Sequence, residues 1–216
     1  MYYSIAIDGP AGAGKSTISK KLAENLGFDY LDTGAMYRAI TYYLLKNDLD
    51  YNDEDLVNSI LDNINITIIS HDVILNDENV NTEIRTQEVT NAVSKVSSYK
   101  NVRAKLVELQ RKIAENQNIV VDGRDIGTVV LPNATLKIFL TASVEERARR
   151  RLNDSKSTSN YNFEEIKKDI ERRDYFDSHR EISPLKKADD AVLIDSSDLS
   201  IEETVSKIES VIKEKL

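Results

Sequence analysis

The sequence contains no cysteine among its 216 residues, which excludes a disulfide framework, a thiolate nucleophile and a cysteine-ligated metal site. It also has no uninterrupted apolar run near the ~20 residues that a membrane-spanning helix needs. Its start, MYYSIAID, predicts a strand and lacks the basic beginning and the cleavage site of a signal peptide. We therefore expect a cytoplasmic protein that has no role in a membrane.

Negative charge exceeds positive charge in the chain as a whole, but the arginines are concentrated in one part of it. The formal net charge is -8, which disfavours nonspecific binding to nucleic acid or to anionic membranes. Eight of the twelve arginines nevertheless lie between Arg124 and Arg180, and such a concentration would suit a cleft that binds phosphate groups. We expect a monomer that acts on small molecules and has no nucleic-acid partner.

Short apolar runs alternate with segments of helical periodicity along most of the chain. Helical spacing covers residues 15–26 and 35–45, and Gly27 follows the first of these helices as a C-terminal cap. The runs that predict buried strands are residues 4–8, 28–31, 118–122, 136–140 and 191–195, and a last helix begins near Ile201. Strands that alternate with helices predict an α/β fold with a parallel β-sheet core flanked by helices.

One region departs from this order and predicts an insertion. Apolar and polar residues alternate over residues 64–75 around a predicted turn at residues 70–72, a pattern typical of an antiparallel hairpin. A helical stretch without a strand follows over residues 86–116. We therefore divide the chain into a core, residues 1–51 and 101–216, and an inserted lobe, residues 52–100.

A phosphate-loop motif joins the first strand to the first helix. The pattern G-x-x-x-x-G-K-[ST] starts at Gly9 and ends at Ser16, and its position between a strand and a helix is the one that its mechanism requires. The predicted ATP-binding residues are Gly9, Pro10, Ala11, Gly12, Ala13, Gly14, Lys15, Ser16 and Thr17. Their backbone N–H groups would surround the phosphates, and the Lys15 ammonium would reach the β and γ phosphates. The alternative is a glycine-rich turn that only caps a helix.

Asp122 and Arg124 follow a predicted buried strand. A carboxylate at the end of a strand beside a phosphate loop commonly binds Mg²⁺ through water, so Ser16 and Asp122 are the predicted magnesium residues. Arg124 could contact the donor and acceptor phosphates together. The alternative is a surface turn in which an arginine pairs with the neighbouring aspartate.

Two further groups of residues could bind a second phosphate. Thr33 and Arg38 lie at the start of the second helix, unless Thr33 merely caps the helix and Arg38 is solvated. Arg173, Asp177 and Arg180 are spaced i, i+4 and i+7, which predicts one helix face able to bind phosphate and sugar hydroxyls. The alternative for this face is a row of intrahelical ion pairs.

Four arginines lie close together within residues 147–151. Arg147, Arg150 and Arg151 recur at helical spacing with Arg149 beside them, and a polar stretch from Asn153 follows. Because like charges at that spacing repel each other, an arriving anion would relieve the cost. We predict a closing lid around residues 147–160, with Lys15, Arg124, Arg150 and Arg151 as the catalytic cations. The alternative is a solvated helix whose charge Glu145 and Glu146 balance.

The residues alone leave several phosphate-loop functions open. The guanine-reading tetrapeptide Asn-Lys-x-Asp of GTPases is absent, and the chain is short for a mechanical ATPase. A kinase for a small acceptor such as shikimate, gluconate or a nucleotide remains, as does a nucleotide-binding switch that regulates a partner.

Five segments in order along the chain resemble the bacterial cytidylate (CMP) kinases. They are GPAGAGKST from Gly9, DTGAMYR from Asp32, IRTQEVTNAVS from Ile84, DGRDIGTVVLPNA from Asp122 and RRDYFDSHREISPL from Arg172. The resemblance implies a nucleoside monophosphate kinase with a core, an acceptor-binding lobe and a short lid. It further implies transfer of the γ-phosphoryl group of ATP to CMP or dCMP, with Mg²⁺ as cofactor.

The same resemblance assigns the CMP-binding residues. Thr33, Arg38, Arg124 and Arg180 would hold the phosphate of CMP, Arg173 and Asp177 would face its sugar, and Ser94, Arg103 and Asp125 would contact cytosine. The last three suit cytosine chemically. Asp125 and Ser94 can accept from its amino group, whereas Arg103 can donate to its N3 atom.

Overall fold

The computed structural model describes residues 2–153 and 162–215. In chain order its strands and helices are β1 (Ser4–Asp8), α1 (Lys15–Leu26), β2 (Asp29–Asp32), α2 (Thr33–Lys46), α3 (Glu54–Ile60), β3 (Ile66–Ile69), β4 (Asp72–Leu75), β5 (Glu78–Asn79), α4 (Gln87–Val96), α5 (Lys100–Ala114), β6 (Ile119–Gly123), β7 (Leu136–Thr141), α6 (Val144–Leu152), α7 (Phe163–His179), β8 (Val192–Asp195) and α8 (Ile201–Lys215). A π-helical turn spans Ile126–Val130, and 3-10 turns span Leu61–Asn63 and Glu83–Arg85. The predicted lid is covered only in part, since residues 154–161 lie outside the described residues.

The central sheet has five parallel strands in the order β2-β6-β1-β7-β8. In β1 the residue Ala6 lies opposite Val121 of β6 and Lys137 of β7. All five residues of β6 are buried, as expected for a strand in a parallel sheet that helices cover on both faces. The predicted fold class is therefore confirmed, and each predicted core strand lies within one residue of the observed one.

Capping residues fix the end of helix α1 and the start of helix α2, on either side of β2. Gly27 ends α1 with a left-handed backbone (φ 65°) and donates its N–H to carbonyl groups of the last turn. Asp32 is the N-cap of α2 and accepts from the N–H of Ala35 at 2.9 Å. The alternative that Thr33 caps this helix is therefore wrong, because the cap is the residue before it.

Residues 52–100, which we predict to be an inserted lobe, contain a small antiparallel sheet in the order β3-β4-β5. The predicted hairpin is confirmed, with Ile66 opposite Leu75 and a turn in which Ser70 and His71 have positive φ. The short strand β5 and the helix α3 were not predicted. The long helical stretch is divided into α4 and α5 by a break at residues 97–99.

Two hydrophobic clusters cover opposite faces of the parallel sheet. One contains Ile5 and Ile7 of β1, which pack with residues of α1, β7 and α8. The other contains Ala6, residues of β2 and α2, and also Val73 and Leu75 of the lobe. The lobe and the parallel sheet therefore share one continuous core. The two segments that connect them, near residues 51 and 99, also contact each other, since the Tyr99 hydroxyl donates to the carbonyl of Tyr51 at 3.0 Å.

Among residues 2–153 and 162–215, no helix combines the length and the apolar character needed to cross a membrane.

Candidate active site

A cleft of about 680 Å³ opens at the carboxyl ends of β1, β2 and β6. The carboxyl edge of a parallel sheet is the usual place for a ligand in an open α/β fold. The phosphate loop lines one part of the cleft, and side chains of α4 and α5 line another. The cleft therefore brings together segments that are far apart in the sequence.

The phosphate loop has the backbone that its glycines permit. Gly14 is the N-cap of α1 and has a left-handed backbone with φ 88°. A Cβ atom on Gly9 would lie 1.9 Å from the carbonyl oxygen of Leu140, so no side chain fits there. The strand–loop–helix arrangement is as predicted, and the start of α1 directs its positive end into the cleft.

Lys15 is buried beneath this loop. Its ammonium donates to the carbonyl of Pro10 at 2.8 Å. Burial and the nearby Arg124 lower the pKa of Lys15, whereas Asp122 and Asp8 raise it, and the result is a pKa of about 7. An anion beside this ammonium would favour its charged form.

Ser16 and Asp122 are brought together as predicted. The Ser16 hydroxyl donates to Asp122 Oδ2 at 2.9 Å, and the Tyr30 hydroxyl donates to Oδ1 at 3.2 Å. Burial and the neighbouring Asp32 together raise the pKa of Asp122 to about 7. Within the described ranges, no group of three or more His, Asp or Glu side chains forms a metal cluster. A cation held by Ser16 and Asp122 would therefore take its other ligands from a substrate or from water.

Thr33 and Arg38 also reach the cleft, but each already has a protein partner. The Thr33 hydroxyl donates to the carbonyl of Asp122 at 2.7 Å, and Arg38 Nη2 donates to Asp32 Oδ2 at 2.9 Å. Although burial opposes the change, the Arg38 guanidinium lowers the pKa of Asp32. The alternative of a solvated Arg38 is wrong, because its side chain is only 22% exposed.

The far end of the cleft holds a buried ion pair between Arg103 and Asp125. Arg103 Nη1 donates to the carbonyl of Ser97 at 3.1 Å, and the guanidinium lies 5.3 Å from the centre of the Tyr37 ring. Arg180 Nη2 lies 3.8 Å from the other carboxylate oxygen of Asp125. Ser94 lines the same end of the cleft from α4. The three residues predicted to contact cytosine therefore line one cleft.

Arg124, Arg173 and Asp177 form the middle of the cleft. Arg124 Nε donates to Asp177 Oδ2 at 3.0 Å. The alternative that Arg124 pairs with its neighbour in a surface turn is therefore wrong, and so is the alternative of a row of intrahelical pairs around Asp177. Burial and the adjacent Arg124 together lower the pKa of Arg173 to about 10.

Arg180 does not share a helix face with Arg173 and Asp177, so that prediction is wrong. Helix α7 ends at His179, and Arg180 follows it with an extended backbone (φ -65°, ψ 143°). The chain then turns back, with the N–H of Leu185 donating to the carbonyl of Asp177 at 2.8 Å. This turn nevertheless directs the Arg180 guanidinium toward Asp125.

The arginines of α6 point to different neighbours and do not act as one charged row. Arg147 is buried and contacts the phosphate loop, whereas Arg149 is 62% exposed beside Glu146. Arg150 donates to Glu146 Oε1 at 3.0 Å and to the carbonyl of Ser196 at 2.5 Å. Arg151 lines the cleft. The alternative of a solvated helix therefore describes Arg149 but not Arg147, and the predicted polar part of the lid lies largely outside the described residues.

Sequence reasoning missed three parts of the site. Asp8 ends β1 and accepts from the N–H groups of Ile126 and Gly127 at 2.7 and 2.8 Å, which fixes the π-helical turn after Asp125. Burial raises the pKa of Asp8 to about 6. Its position just before the phosphate loop was a signal that could have identified it. Arg85 and the segment of residues 199–201 also line the cleft, without a pattern of their own.

Comparison with known proteins agrees with this arrangement. A family model described as cytidylate kinase matches residues 5–214. Proteins named cytidylate kinase from Alkaliphilus oremlandii and Carboxydothermus hydrogenoformans are each 51% identical over 98% of the chain, and the matches cover 98% and 97% of the relatives.

Solved structures show the fold at much lower sequence identity. An uncharacterized protein from Eubacterium ventriosum and shikimate kinase from Bacteroides thetaiotaomicron have TM-scores of 0.57 and 0.54. Each is 12% identical, and each comparison covers 98% of both chains. Shared architecture at this distance does not identify an acceptor, whereas the family match and the relatives at half identity cover nearly the whole sequence. The chain therefore belongs to the cytidylate kinase family.

Proposed function

We propose that this chain transfers the γ-phosphoryl group of ATP to CMP, and also to dCMP, and releases ADP with CDP or dCDP. One observation carries the proposal: a single cleft is lined in one part by a phosphate loop and in another by the buried Arg103–Asp125 pair with Ser94. The relatives named cytidylate kinase support the same function.

The donor nucleotide would bind along residues 9–17. The backbone N–H groups of the loop and the start of α1 would surround its phosphates, and the Lys15 ammonium would exchange the Pro10 carbonyl for phosphate oxygens. Ser16 and Asp122 would hold Mg²⁺ directly or through water, because a hydroxyl and a carboxylate 2.9 Å apart are hard oxygen donors of the kind that this ion prefers. When bound, the ion would neutralise charge on the transferred phosphates.

The acceptor base would bind at the far end of the cleft. Asp125 and Ser94 would accept hydrogen bonds from the exocyclic amino group of cytosine, and Arg103 would donate to N3. Uracil would place its carbonyl against the Asp125 carboxylate and its N3–H against the Arg103 guanidinium. Both contacts would then be mismatched in a buried site, which disfavours uracil strongly.

The acceptor phosphate would meet arginines that carboxylates already hold in place. Arg38 is held by Asp32 and Arg124 by Asp177, so their guanidinium groups need little reorganisation when a phosphate arrives. Thr33 and Arg180 would complete this phosphate site. Arg173 and Asp177 would face the sugar.

Phosphoryl transfer between two phosphates needs no general base of unusual pKa, since the attacking group is already a phosphate oxygen. Catalysis would consist of in-line positioning and of stabilising the charge that spreads over the transferred group. Lys15, Arg124, Arg150 and Arg151 all line the cleft, so their positive charges would act on the transferred group.

We further propose that residues 52–100 act as an acceptor-binding lobe on a core formed by residues 1–51 and 101–216. Ser94 of α4 belongs to this lobe, whereas its partners in base recognition, Arg103 and Asp125, belong to the core. Binding of the base between them would fix the lobe relative to the core.

The experiment that tests the function is a coupled assay of ADP release with ATP, Mg²⁺ and a panel of acceptors. The panel contains the ribo- and deoxynucleoside monophosphates together with shikimate and gluconate. We expect CMP and dCMP to give the largest kcat/KM. A larger value for another acceptor, or tight nucleotide binding without acceptor-dependent ADP release, would overturn the proposal.

A further inference from the structure

Two charged side chains from different helices meet at the backbone of one residue of the phosphate loop, Ala11. Asp174 Oδ1 of α7 accepts from the N–H of Ala11 at 3.3 Å, and Arg147 Nη1 of α6 donates to the carbonyl of Ala11 at 2.9 Å. Arg147 Nη1 also lies 2.5 Å from Asp174 Oδ2. Both polar backbone groups of Ala11 are therefore satisfied by one ion pair.

The ion pair is buried in part and closely packed between the phosphate loop and the two helices. Arg147 is 4% exposed, and its Nε donates to the carbonyl of Ala142 at 2.9 Å. The loop also packs directly on both helices, since a Cβ atom on Gly12 would lie 3.3 Å from Arg147 Cβ and 3.7 Å from Ile170 Cδ1. Helices α6 and α7 are thus both in contact with the first half of the phosphate loop.

Neither charge of the ion pair would be favourable at this position without the other. A carboxylate beside an anion-binding loop would by itself repel phosphate, whereas an isolated buried guanidinium would lack a counter-charge. Together they present an acceptor and a donor to Ala11 with no net charge. A neutral pair that binds backbone groups can set the path of the loop without contributing to the attraction for phosphate.

We propose that Arg147 and Asp174 are positioning residues, which hold the Ala11 peptide groups against α6 and α7 so that the rest of the loop is preorganised for the donor nucleotide. This inference rests on the proposed function only in taking residues 9–17 as the donor-phosphate site. Neither residue lines the cleft. Their effect on binding and turnover passes through the conformation of the loop.

Electrostatics and positioning predict opposite results for Asp174→Ala. Removal of a negative charge near the phosphates should tighten nucleotide binding if charge alone matters. Loss of positioning should weaken it, and we expect the Kd of ADP with Mg²⁺ to rise about tenfold, as for the loss of one charge-assisted hydrogen bond. Asp174→Asn keeps an oxygen that can accept from Ala11, so its Kd should lie closer to that of the unmodified protein.

The chain offers a matched control in Glu145→Gln. Glu145 of α6 lies 2.7 Å from Lys167 of α7, so this change breaks another ion pair between the same two helices, one without a contact to the phosphate loop. We expect the Kd of ADP to change less than about twofold. Thermal unfolding of each variant measures the loss of stability separately.

The measurements are calorimetry of ADP with Mg²⁺ and steady-state kinetics with both substrates. We expect Asp174→Ala to raise the Kd of ADP and the KM of ATP while the KM of CMP changes less than about threefold. Unchanged or tighter ADP binding in Asp174→Ala would overturn the inference, as would equal weakening in Glu145→Gln. If Asp174→Ala does not fold, Arg147→Lys replaces it. The ammonium of lysine can donate to Ala11 but cannot reach Ala11, Ala142 and Asp174 together as the guanidinium does. Unchanged ADP binding in that variant would refute the inference equally. Calorimetry needs no acceptor, so a failure of the proposed CMP kinase activity would be seen separately.

Discussion

Replacement of Asp125 by asparagine should change the base preference of the enzyme. The carboxylate is buried between Arg103 and Arg180 and would accept from the amino group of cytosine. Asparagine has nearly the same shape, but it carries one oxygen and one amide donor in place of two oxygens. The donor can face the carbonyl of uracil, which the carboxylate repels.

The magnitude follows from the two roles of the carboxylate. A hydrogen bond to a charged group contributes about 1.5–3 kcal/mol, so kcat/KM for CMP should fall by about one to two orders of magnitude. The loss for UMP should be at least about tenfold smaller, because the new amide relieves a mismatch. The variant should also be less stable by about 2–4 kcal/mol, since Arg103 and Arg180 lose their shared counter-charge.

The assay is ADP release with CMP and UMP on the unmodified protein, on Asp125→Asn and on Ser94→Ala, each below its unfolding temperature. Ser94→Ala is the control for loss of an acceptor without loss of charge, and it should reduce kcat/KM for CMP about tenfold with little change in thermal stability. A double mutant with Arg103→Met tests whether the ion pair acts as a unit, in which case its loss is smaller than the sum of the single losses. An equal loss for CMP and UMP in Asp125→Asn would refute the reasoning, because Asp125 would then be structural only.

Three further predictions concern the phosphate end of the cleft. Lys15→Met should abolish phosphoryl transfer while thermal stability is retained or increased, because a buried ammonium is removed; more than a tenth of normal turnover would contradict its role. Because burial lowers the pKa of Lys15 to about 7, binding of ATP with Mg²⁺ should take up a proton at pH 8 and much less than one proton at pH 6. Calorimetry in buffers of different ionisation enthalpy measures this proton uptake. An affinity for ATP that rises between pH 7 and 9 would argue against the prediction. In steady-state kinetics, Arg150→Ala and Arg151→Ala should lower kcat more than they raise KM. Arg149→Ala should change both constants less than about twofold, because this side chain is 62% exposed. If only KM changed in the first two variants, Arg150 and Arg151 would be binding residues and not catalytic ones.

The parts of the fold that were predicted correctly are those that local sequence determines. A strand of the parallel sheet is a short apolar run, and Gly9 to Ser16 is a contiguous motif, so both are visible without tertiary information. The break after His179 was missed because it depends on a turn that is fixed by a backbone hydrogen bond from Leu185 back to Asp177, which helical periodicity does not reveal. Arg180 therefore reaches Asp125 by a route that helical spacing does not describe.

The partners of the arginines could not be predicted from periodicity. Arg124 pairs with Asp177, which is 53 residues away, and Arg147 donates to Ala11 across 136 residues. Charge runs reveal where positive charge is concentrated, but only the folded chain separates a structural arginine such as Arg147 from one that lines the cleft. The assignment of Ser94, Arg103 and Asp125 to the base came from family resemblance, and the structure brings these residues to one cleft.

Unfolding of this chain should be cooperative across the core and the inserted lobe, because both contribute side chains to one hydrophobic cluster. Val73 and Leu75 of the lobe belong to the same cluster as Leu31 and Ile40 beneath the cleft, so the lobe has no separate interior that could melt first. Amide hydrogens in β4 and in β2 should therefore exchange through the same global opening. A nucleotide bound at either end of the cleft would slow that exchange in both places, since it stabilises a single cooperative unit.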